Sequence, residues 1–450
     1  MKDRYIDVED LIAARATPPG ISALAIVRVA GPGCVDAVSR AFSRPERLRA
    51  AEGRTLVRGA LLDIRDGRPV DDLVAAVFRA PESPTGQDQV DFMTHGSPAV
   101  VAAVVDALAA LGFRKALPGE FSFRAFVAGK ADLVESEAID ELSRARTAQA
   151  REAALRRLGG GPSAEIARIR TEVHELLAAC EVLLDYPEDE VAGNLTSRLP
   201  AARGAVEALA KLSAGHAGAR LRLEGARVAV AGRTNAGKSS LFNRFLREER
   251  SIVSDEHGTT RDWIEASVDL EGIPIVLHDT AGLRSTDDRT EAEGVRRSRL
   301  LLESADLILY VVDGTVGLAE EDGEFLAERP DALPVWNKAD APGCGPVPEG
   351  FHSVSALDGR GFQDLALAMV ARLPGGSGSA DGLAGERQAA LVEAARASLS
   401  DAIAAIGAGE PLDLVSLDLR AASDSLGELT GETASPDVLE TIFTRFCVGK

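Results

Sequence analysis

Gly232, Arg233, Thr234, Asn235, Ala236, Gly237, Lys238 and Ser239 stand in the spacing Gly-x-x-x-x-Gly-Lys-Ser. Glycines at its first and sixth positions let backbone N–H groups wrap an anion, and a helix opening at the lysine adds its N-terminal dipole. The Lys238 ammonium would reach the β- and γ-phosphates of a nucleotide, and the Ser239 hydroxyl would bind Mg²⁺. Asn235, Ala236, Gly237 and Ser240 complete the cradle. The chemistry this suits is phosphate binding followed by attack of water on a phosphoanhydride.

The partners such a loop needs follow in order. Ser254, Asp255, Glu256, His257, Gly258 and Thr259 lead to Thr260, a threonine suited to Mg²⁺ and the γ-phosphate. Asp279, Thr280, Ala281 and Gly282 end an apolar run, so Asp279 can hold Mg²⁺ through water while the Gly282 N–H faces the γ-phosphate. Together these are two elements that order around a triphosphate and relax after hydrolysis. The base is legible in Asn337-Lys338-Ala339-Asp340, where Asp340 can accept from guanine N1–H and the exocyclic amine. Adenine offers an acceptor at N1 and no amine, and sites built on such bonds discriminate by about 10⁴-fold or more. Ser355, Ala356 and Leu357 supply a backbone contact to the base carbonyl, so the substrate is GTP and not ATP. Leu283 is apolar where many GTP hydrolases keep a water-orienting glutamine. Hydrolysis must then draw on another residue and another source of positive charge.

Short apolar runs at 227–231, 274–278, 307–312, 333–336 and 352–354 each end at a polar or glycine-bearing loop. That is the pattern of a parallel sheet with ligand loops at its carboxyl edge. Residues 1–117 mix short apolar runs with Gly/Pro turns and predict a small α+β domain. Ile166, Ile169, Val173, Leu176, Leu177, Cys180 and Leu184 fall at helical spacing, and 131–158 is also helical in texture. Residues 375–382 have a flexible linker's composition, and helical texture returns from about Arg387.

The chain has 450 residues, enough for two or three domains, and a net charge of −20 that argues against long-range attraction to nucleic acid. Four scattered cysteines without a CxxC pair suggest neither zinc nor disulfides. No apolar run reaches the roughly 18 residues of a membrane span, and the charged start is no secretory signal, so a cytoplasmic setting with no membrane partner is expected.

Over its whole length the sequence resembles the MnmE (TrmE) family of tRNA-modification GTPases. The specific signs are Thr17-Pro18-Pro19-Gly20, the run from Leu117 to Phe126 with Gly129-Lys130, and Phe446-Cys447-Val448-Gly449-Lys450. The resemblance implies a homodimer whose N-terminal domain binds 5-formyltetrahydrofolate through Arg28, Asp91, Lys130 and Lys450. Asp91 stands where the family has glutamate. It also implies a K⁺ ion held by Asn235 with Ser254, Glu256 and Thr259, doing the work of an arginine finger, and Glu291 as the residue orienting the attacking water. Lys238 and Thr260 complete the catalytic set, and Cys447 is a family cysteine beside Lys450. Further departures are Thr234 for proline, Ser254 for threonine, and Gln87 for glutamate; none removes a required group.

The implied activity is K⁺-stimulated GTP hydrolysis. With an FAD-dependent partner, in a heterotetramer, it would serve addition of a carboxymethylaminomethyl or aminomethyl group to C5 of the wobble uridine of tRNA. The expected fold is α/β multidomain. Residues 1–119 form an α+β dimerisation and folate domain, 120–222 and 376–450 two parts of a helical domain, and 223–375 an inserted Ras-like P-loop GTPase domain. The rivals are a ribosome-assembly GTPase, which shares the nucleotide motifs, and a nucleotide-gated scaffold without folate chemistry.

Overall fold

The computed structural model describes residues 8–185, 195–248, 250–251, 265–279, 300–376, 378 and 382–450. Its chain divides into two compact units, Met1–Asp140 with Arg157–Arg170 and Ser423–Lys450, and Glu141–Arg156 with Thr171–Ala422.

In the first unit the described strands are β1 (Ile12–Arg15), β2 (Leu24–Ala30), β3 (Thr55–Leu62), β4 (Pro69–Phe78), β5 (Gln89–His95) and β6 (Arg114–Lys115). They form one sheet in the order β3-β4-β5-β2-β1-β6, antiparallel except for the β1–β6 pair. Alternation along β2 sends Ala25, Val27 and Val29 to one face, where they join Val101, Val104 and Leu108 of the helix Pro98–Ala110 in a common core. Pro98 suits the first helical turn, where its missing N–H is no loss. On the other face, Phe121 of the helix Glu120–Val127 packs with Ile12, Ala14, Ala30 and Ala116. Phe443, from the helix Pro436–Phe443, meets Phe123 edge to face at 5.4 Å.

A buried ionic cluster fixes that second helix. Arg124, 2% exposed, donates to the Asp10 carboxylate (2.5 Å) and carbonyl (2.8 Å), to Gln87 Oε1 (3.0 Å) and to Glu120 Oε1 (3.1 Å). Glu120 also receives two N–H groups of Arg114 at 2.9 and 2.6 Å and the Leu117 N–H at 2.8 Å. Burial pushes the Asp10 carboxyl up, but its bonds and charge attraction to Arg114 and Arg124 outweigh this and hold it below the ordinary 3.8. A depressed carboxyl contributes stability that is complete above that ordinary value and is lost as pH falls through the folded one. Arg124→Met is expected to cost about 3–5 kcal/mol, because it takes a buried cation from Glu120, 2% exposed, and one of the two arginine partners from the half-buried Asp10. Urea denaturation at pH 7 would show this as a lowered midpoint, and an unchanged midpoint would contradict it.

The second unit holds β7 (Ala226–Ala231), β8 (Arg250–Ser251), β9 (Glu265–Leu270), β10 (Ile273–Asp279), β11 (Leu307–Asp313), β12 (Leu333–Asn337) and β13 (His352–Ser353). Their order is β13-β12-β11-β7-β10-β9-β8, with β10, β7, β11, β12 and β13 mutually parallel. The centre of the sheet is covered on both sides, which is why β7 and β11 are almost continuously apolar. One face buries Val228 and Val230 with Leu241, Phe242 and Phe245 of the helix Lys238–Glu248, and the other buries Ala229, Ile308, Tyr310 and Trp336. In the same unit the helix Leu195–Ala214 packs against the helix Glu386–Ala408.

Two details refine the sequence reading. Leu184 falls at the helical spacing of the apolar residues of the helix Gly161–Asp185, and the structure leaves it 43% exposed at the helix end while Ile166, Ile169, Val173, Leu176 and Cys180 are buried. The glycines described in 375–382 do not form an open tether. A Cβ on Gly376 would lie 1.7 Å from the Val370 carbonyl oxygen, and one on Gly382 would lie 2.2 Å from the Gly215 carbonyl carbon. Close backbone approach, which only glycine allows, explains a composition that reads as flexibility.

Candidate functional site

The parallel strands of the second unit deliver their carboxyl ends to one edge. There Ala231 of β7 runs into the phosphate-binding loop, while Asp313 of β11 and Asn337 of β12 stand opposite each other in register. Gly232 has φ +133°, and a Cβ on it would lie 2.2 Å from the Val311 carbonyl oxygen, so the loop can leave the sheet only at glycine. Asn235 sits in the left-handed region at φ +65°, which asparagine tolerates, and is exposed. Lys238, 8% exposed, donates from Nζ to the Gly232 carbonyl at 2.9 Å and the Arg233 carbonyl at 2.7 Å. Its ammonium is thus held at the mouth of the loop, where a phosphate would take over those bonds. Ser239 and Ser240 lie exposed in the first turn of the helix beginning at Lys238.

Asn337 ties this loop to the segment at Ala356, which the sequence leads one to expect against the base. It is 1% exposed; its amide donates to the Ala236 carbonyl at 2.9 Å, and its carbonyl accepts the Ala356 N–H at 3.1 Å. Gly237 (φ +96°) is required beneath it, since a Cβ there would lie 2.2 Å from Asn337 Nδ2. Asn337→Ala strands two backbone groups at about 1–3 kcal/mol each, so we expect a loss of about 2–6 kcal/mol. A thermal melt with and without GTP checks this: an unaltered apo midpoint would contradict the bridge.

Lys338 (φ +66°) pairs through Nζ with Asp313 at 2.5 Å, and Asp313 also accepts the Thr315 N–H at 2.9 Å and hydroxyl at 2.6 Å. Burial would raise the Asp313 carboxyl, but these bonds and the Lys338 charge hold it below its ordinary value. Asp313 is a residue that sequence motifs miss; its only sequence signal is a carboxylate ending an apolar run. Ala339 N–H donates to the Val354 carbonyl at 3.0 Å, placing the half-buried Asp340 beside the loop at Ser355, Ala356 and Leu357. That loop is held by the Ser355 hydroxyl, which accepts the Asp358 N–H at 3.1 Å, and by Arg244, which donates to the Leu357 carbonyl at 3.0 Å. The residues expected from the sequence to bind phosphate and those expected to read the base are therefore brought together. Asp279 is placed as the last residue of β10, beside Val230. Ser254, Asp255, Glu256, His257, Gly258, Thr259, Thr260, Thr280, Ala281, Gly282 and Glu291 lie outside the described residues.

A second constellation lies in the first unit. Arg28 of β2 and Asp91 of β5 are direct cross-strand partners, joined by two N–H···O bonds of 2.9 Å. Gln89 donates to the same carboxylate at 3.0 Å, the Phe121 ring lies 5.7 Å from the guanidinium, and the Gly449 carbonyl accepts from Arg28 at 3.2 Å. Gly449 (φ +94°) fits because a Cβ would lie 2.4 Å from the Arg15 carbonyl oxygen. The tail is pinned further by Gly119 N–H to the Cys447 carbonyl (3.3 Å) and Phe121 N–H to the Lys450 carbonyl (3.1 Å). Cys447 itself is exposed. Gln89 Oε1 and Lys450 Nζ are buried without a hydrogen-bond partner among the described residues. An acceptor left open beside a carboxylate–guanidinium pair, and a cation left open on the last residue of the tail pinned to it, fit a ligand carrying both donors and negative charge. Lys130 lies exposed on a turn after the helix Glu120–Val127, lining a cavity to which none of Arg28, Asp91 and Lys450 contributes.

Comparison with known proteins adds the family. The profile described as MnmE helical domain matches residues 133–447, and that described as GTP-binding protein TrmE N-terminus matches residues 11–130. The tRNA modification GTPase MnmE of Treponema denticola is 40% identical, the alignment covering 98% of this chain and 98% of that protein. The protein of the same description from Thermus thermophilus is 41% identical over 99% of this chain and 100% of its own. The crystal structure of Era from Aquifex aeolicus with GDP·AlF4⁻ matches 38% of this chain and 66% of that one, at 25% identity and a TM-score of 0.28. On the profile matches and the full-length identity, the chain belongs to the tRNA modification GTPase MnmE family.

Proposed function

We propose that this GTPase couples a K⁺-stimulated GTP cycle to the modification of tRNA. With an FAD-dependent partner it takes part in adding a carboxymethylaminomethyl or aminomethyl group to C5 of the wobble uridine. The observation that supports the nucleotide half is Asn337, which joins the phosphate loop at Ala236 to the base-reading loop at Ala356. In this reading Lys238 binds the β- and γ-phosphates, Asp340 reads guanine, and Ser239 and Thr260, with Asp279 through water, hold Mg²⁺. Asn235, Ser254, Glu256 and Thr259 hold the monovalent cation, and Glu291 orients water. A bound K⁺ supplies positive charge where other systems use an arginine finger, an effect worth about 10³–10⁵-fold.

The first unit is the proposed folate site, with Arg28, Asp91, Lys130 and Lys450 binding 5-formyltetrahydrofolate and Cys447 close by. Bound folate supplies the one-carbon unit. The proposed assembly is a homodimer that forms a heterotetramer with its partner, in the cytoplasm, with the domain bounds given from the sequence. Because the chain carries −20, tRNA is expected to meet either a local basic patch or a basic partner. Among the described residues no helix is long and apolar enough to cross a membrane. Steady-state GTP turnover in KCl and in NaCl tests the cation. K⁺ should be faster by at least about tenfold and Asn235→Ala should abolish the difference; equal rates in both salts would remove this part of the reading.

A further inference from the structure

Asp322, in the first turn of the helix Glu320–Glu328 of the second unit, carries a carboxylate on a residue only 1% exposed. We infer that it is a positioning residue for GTP binding. Through Arg233 it holds the phosphate loop, and Lys238 with it, in the arrangement that receives nucleotide; the inference rests on the reading of Lys238 as the cation that meets the phosphates.

Three observations carry it. The first is where the carboxylate is held. Tyr310 of β11 pairs in register with Ala231, the last residue of β7 before the loop, and its hydroxyl donates to Asp322 Oδ1 at 2.9 Å. The Tyr310 ring stacks on Phe325 of the same helix at 4.3 Å. Burial, with the bond to Asp322 adding to it, pushes the Tyr310 hydroxyl above its ordinary value, so it stays a donor. The Ala319 N–H donates to Asp322 Oδ2 at 2.9 Å. Two neutral donors thus fix the carboxylate at the root of the loop.

The second is charge. A carboxylate withdrawn from water is costly unless it is paired as well as hydrogen-bonded. Among the described residues its cation is Arg233, the second residue of the loop, whose Nη1 lies 3.8 Å from Asp322 Oδ2. That distance is too long for a hydrogen bond, so the guanidinium is held by charge.

The third is what else Arg233 does. Its own carbonyl accepts from Lys238 Nζ at 2.7 Å, and the Gly232 carbonyl accepts from the same ammonium at 2.9 Å. Gly232 lies against β11, where a Cβ on it would be 2.2 Å from the Val311 carbonyl oxygen. β11 therefore braces the first residue of the loop by backbone contact and the second by charge, through Tyr310 and Asp322. Anchoring the Arg233 side chain fixes the carbonyl that holds Lys238. A carboxylate that merely capped its helix would need neither the Tyr310 hydroxyl nor Arg233.

The test is binding of a fluorescent, non-hydrolysable GTP analogue and steady-state GTP turnover by the full-length protein. The variants are Arg233→Met, Arg233→Lys, Asp322→Asn and the double Arg233→Met, Asp322→Asn. Each of Arg233→Met and Asp322→Asn should weaken binding by about fivefold, with KM rising in step and kcat within about twofold, because the pair prepares the loop and does not meet the transition state. The double variant should match the weaker single variant, since both remove one interaction. Arg233→Lys keeps the charge and should recover most of the loss. In the nucleotide-free protein, amide hydrogen exchange across residues 233–238 should quicken by about fivefold in Arg233→Met, a measurement that stands even if Asp322→Asn fails to fold. Wild-type binding by Arg233→Met would overturn the inference, as would effects that multiply in the double variant. So would weakened binding by Arg233→Met with unchanged exchange in the nucleotide-free protein, because Arg233 would then act on the nucleotide itself. Lys238→Ala run alongside separates the two readings. Unchanged GTP binding in that variant would remove the reading of Lys238 and the inference with it, whereas a loss confined to that variant would overturn the positioning role alone.

Discussion

Replacing Lys238 with alanine is expected to lower GTP turnover by about 10²–10³-fold or more, the scale seen when one preorganised donor to a developing negative charge is lost. The ammonium is 8% exposed and held by two carbonyls of its own loop, so it is in place before nucleotide arrives and loses little freedom on binding. Removing it also frees the Gly232 and Arg233 carbonyls, each worth about 1 kcal/mol as a bonded pair, so a modest drop in melting temperature should accompany the loss. The separating measurement is turnover per folded molecule, with the folded fraction taken from circular dichroism at the assay temperature. A well-folded variant that hydrolyses GTP within fivefold of wild type would place phosphate activation elsewhere.

Asp340→Asn should exchange the preferred base rather than simply weaken binding. Guanine presents N1–H and an exocyclic amine, both donors, to the Asp340 carboxylate. An asparagine offers one acceptor and one donor, which match the N1–H and the C2 carbonyl of xanthine. Sites that read a base by such bonds lose about 10⁴-fold or more against the mismatched ligand. We therefore expect GTP affinity to fall by at least about 10²-fold while xanthosine triphosphate gains by a similar factor. Competition against a fluorescent guanine nucleotide reads both numbers. GTP affinity within threefold of wild type would contradict the placement of Asp340, even if the variant were stable.

The contrast between these two residues and their neighbours shows what a linear sequence carries. Lys238 and Asp340 sit in short motifs behind apolar runs, and those runs became β7 and β12, so local spacing located both. Asn337 was legible as part of a motif but not as the bridge between two loops, because its partners, Ala236 and Ala356, are 101 and 19 residues away. Asp313 was missed because a carboxylate at a strand end has no motif; its role depends on β11 and β12 lying in register. In the first unit, resemblance supplied Arg28, Asp91 and Lys450. The Gly449 carbonyl on Arg28 arises from a pairing 421 residues apart, which no periodicity encodes. The glycines of 375–382 misled for the opposite reason. Composition counts residue types, and a glycine chosen for close packing looks the same as one chosen for freedom.

The proposed coupling of GTP hydrolysis to tRNA modification is tested most directly by nucleoside mass spectrometry. The tRNA would come from cells depleted of this protein and complemented with wild type or with Lys238→Ala. The account predicts that a C5-modified wobble uridine disappears on depletion, returns with the wild type, and does not return with the variant. Unchanged wobble uridine in depleted cells, or full restoration by Lys238→Ala, would contradict it.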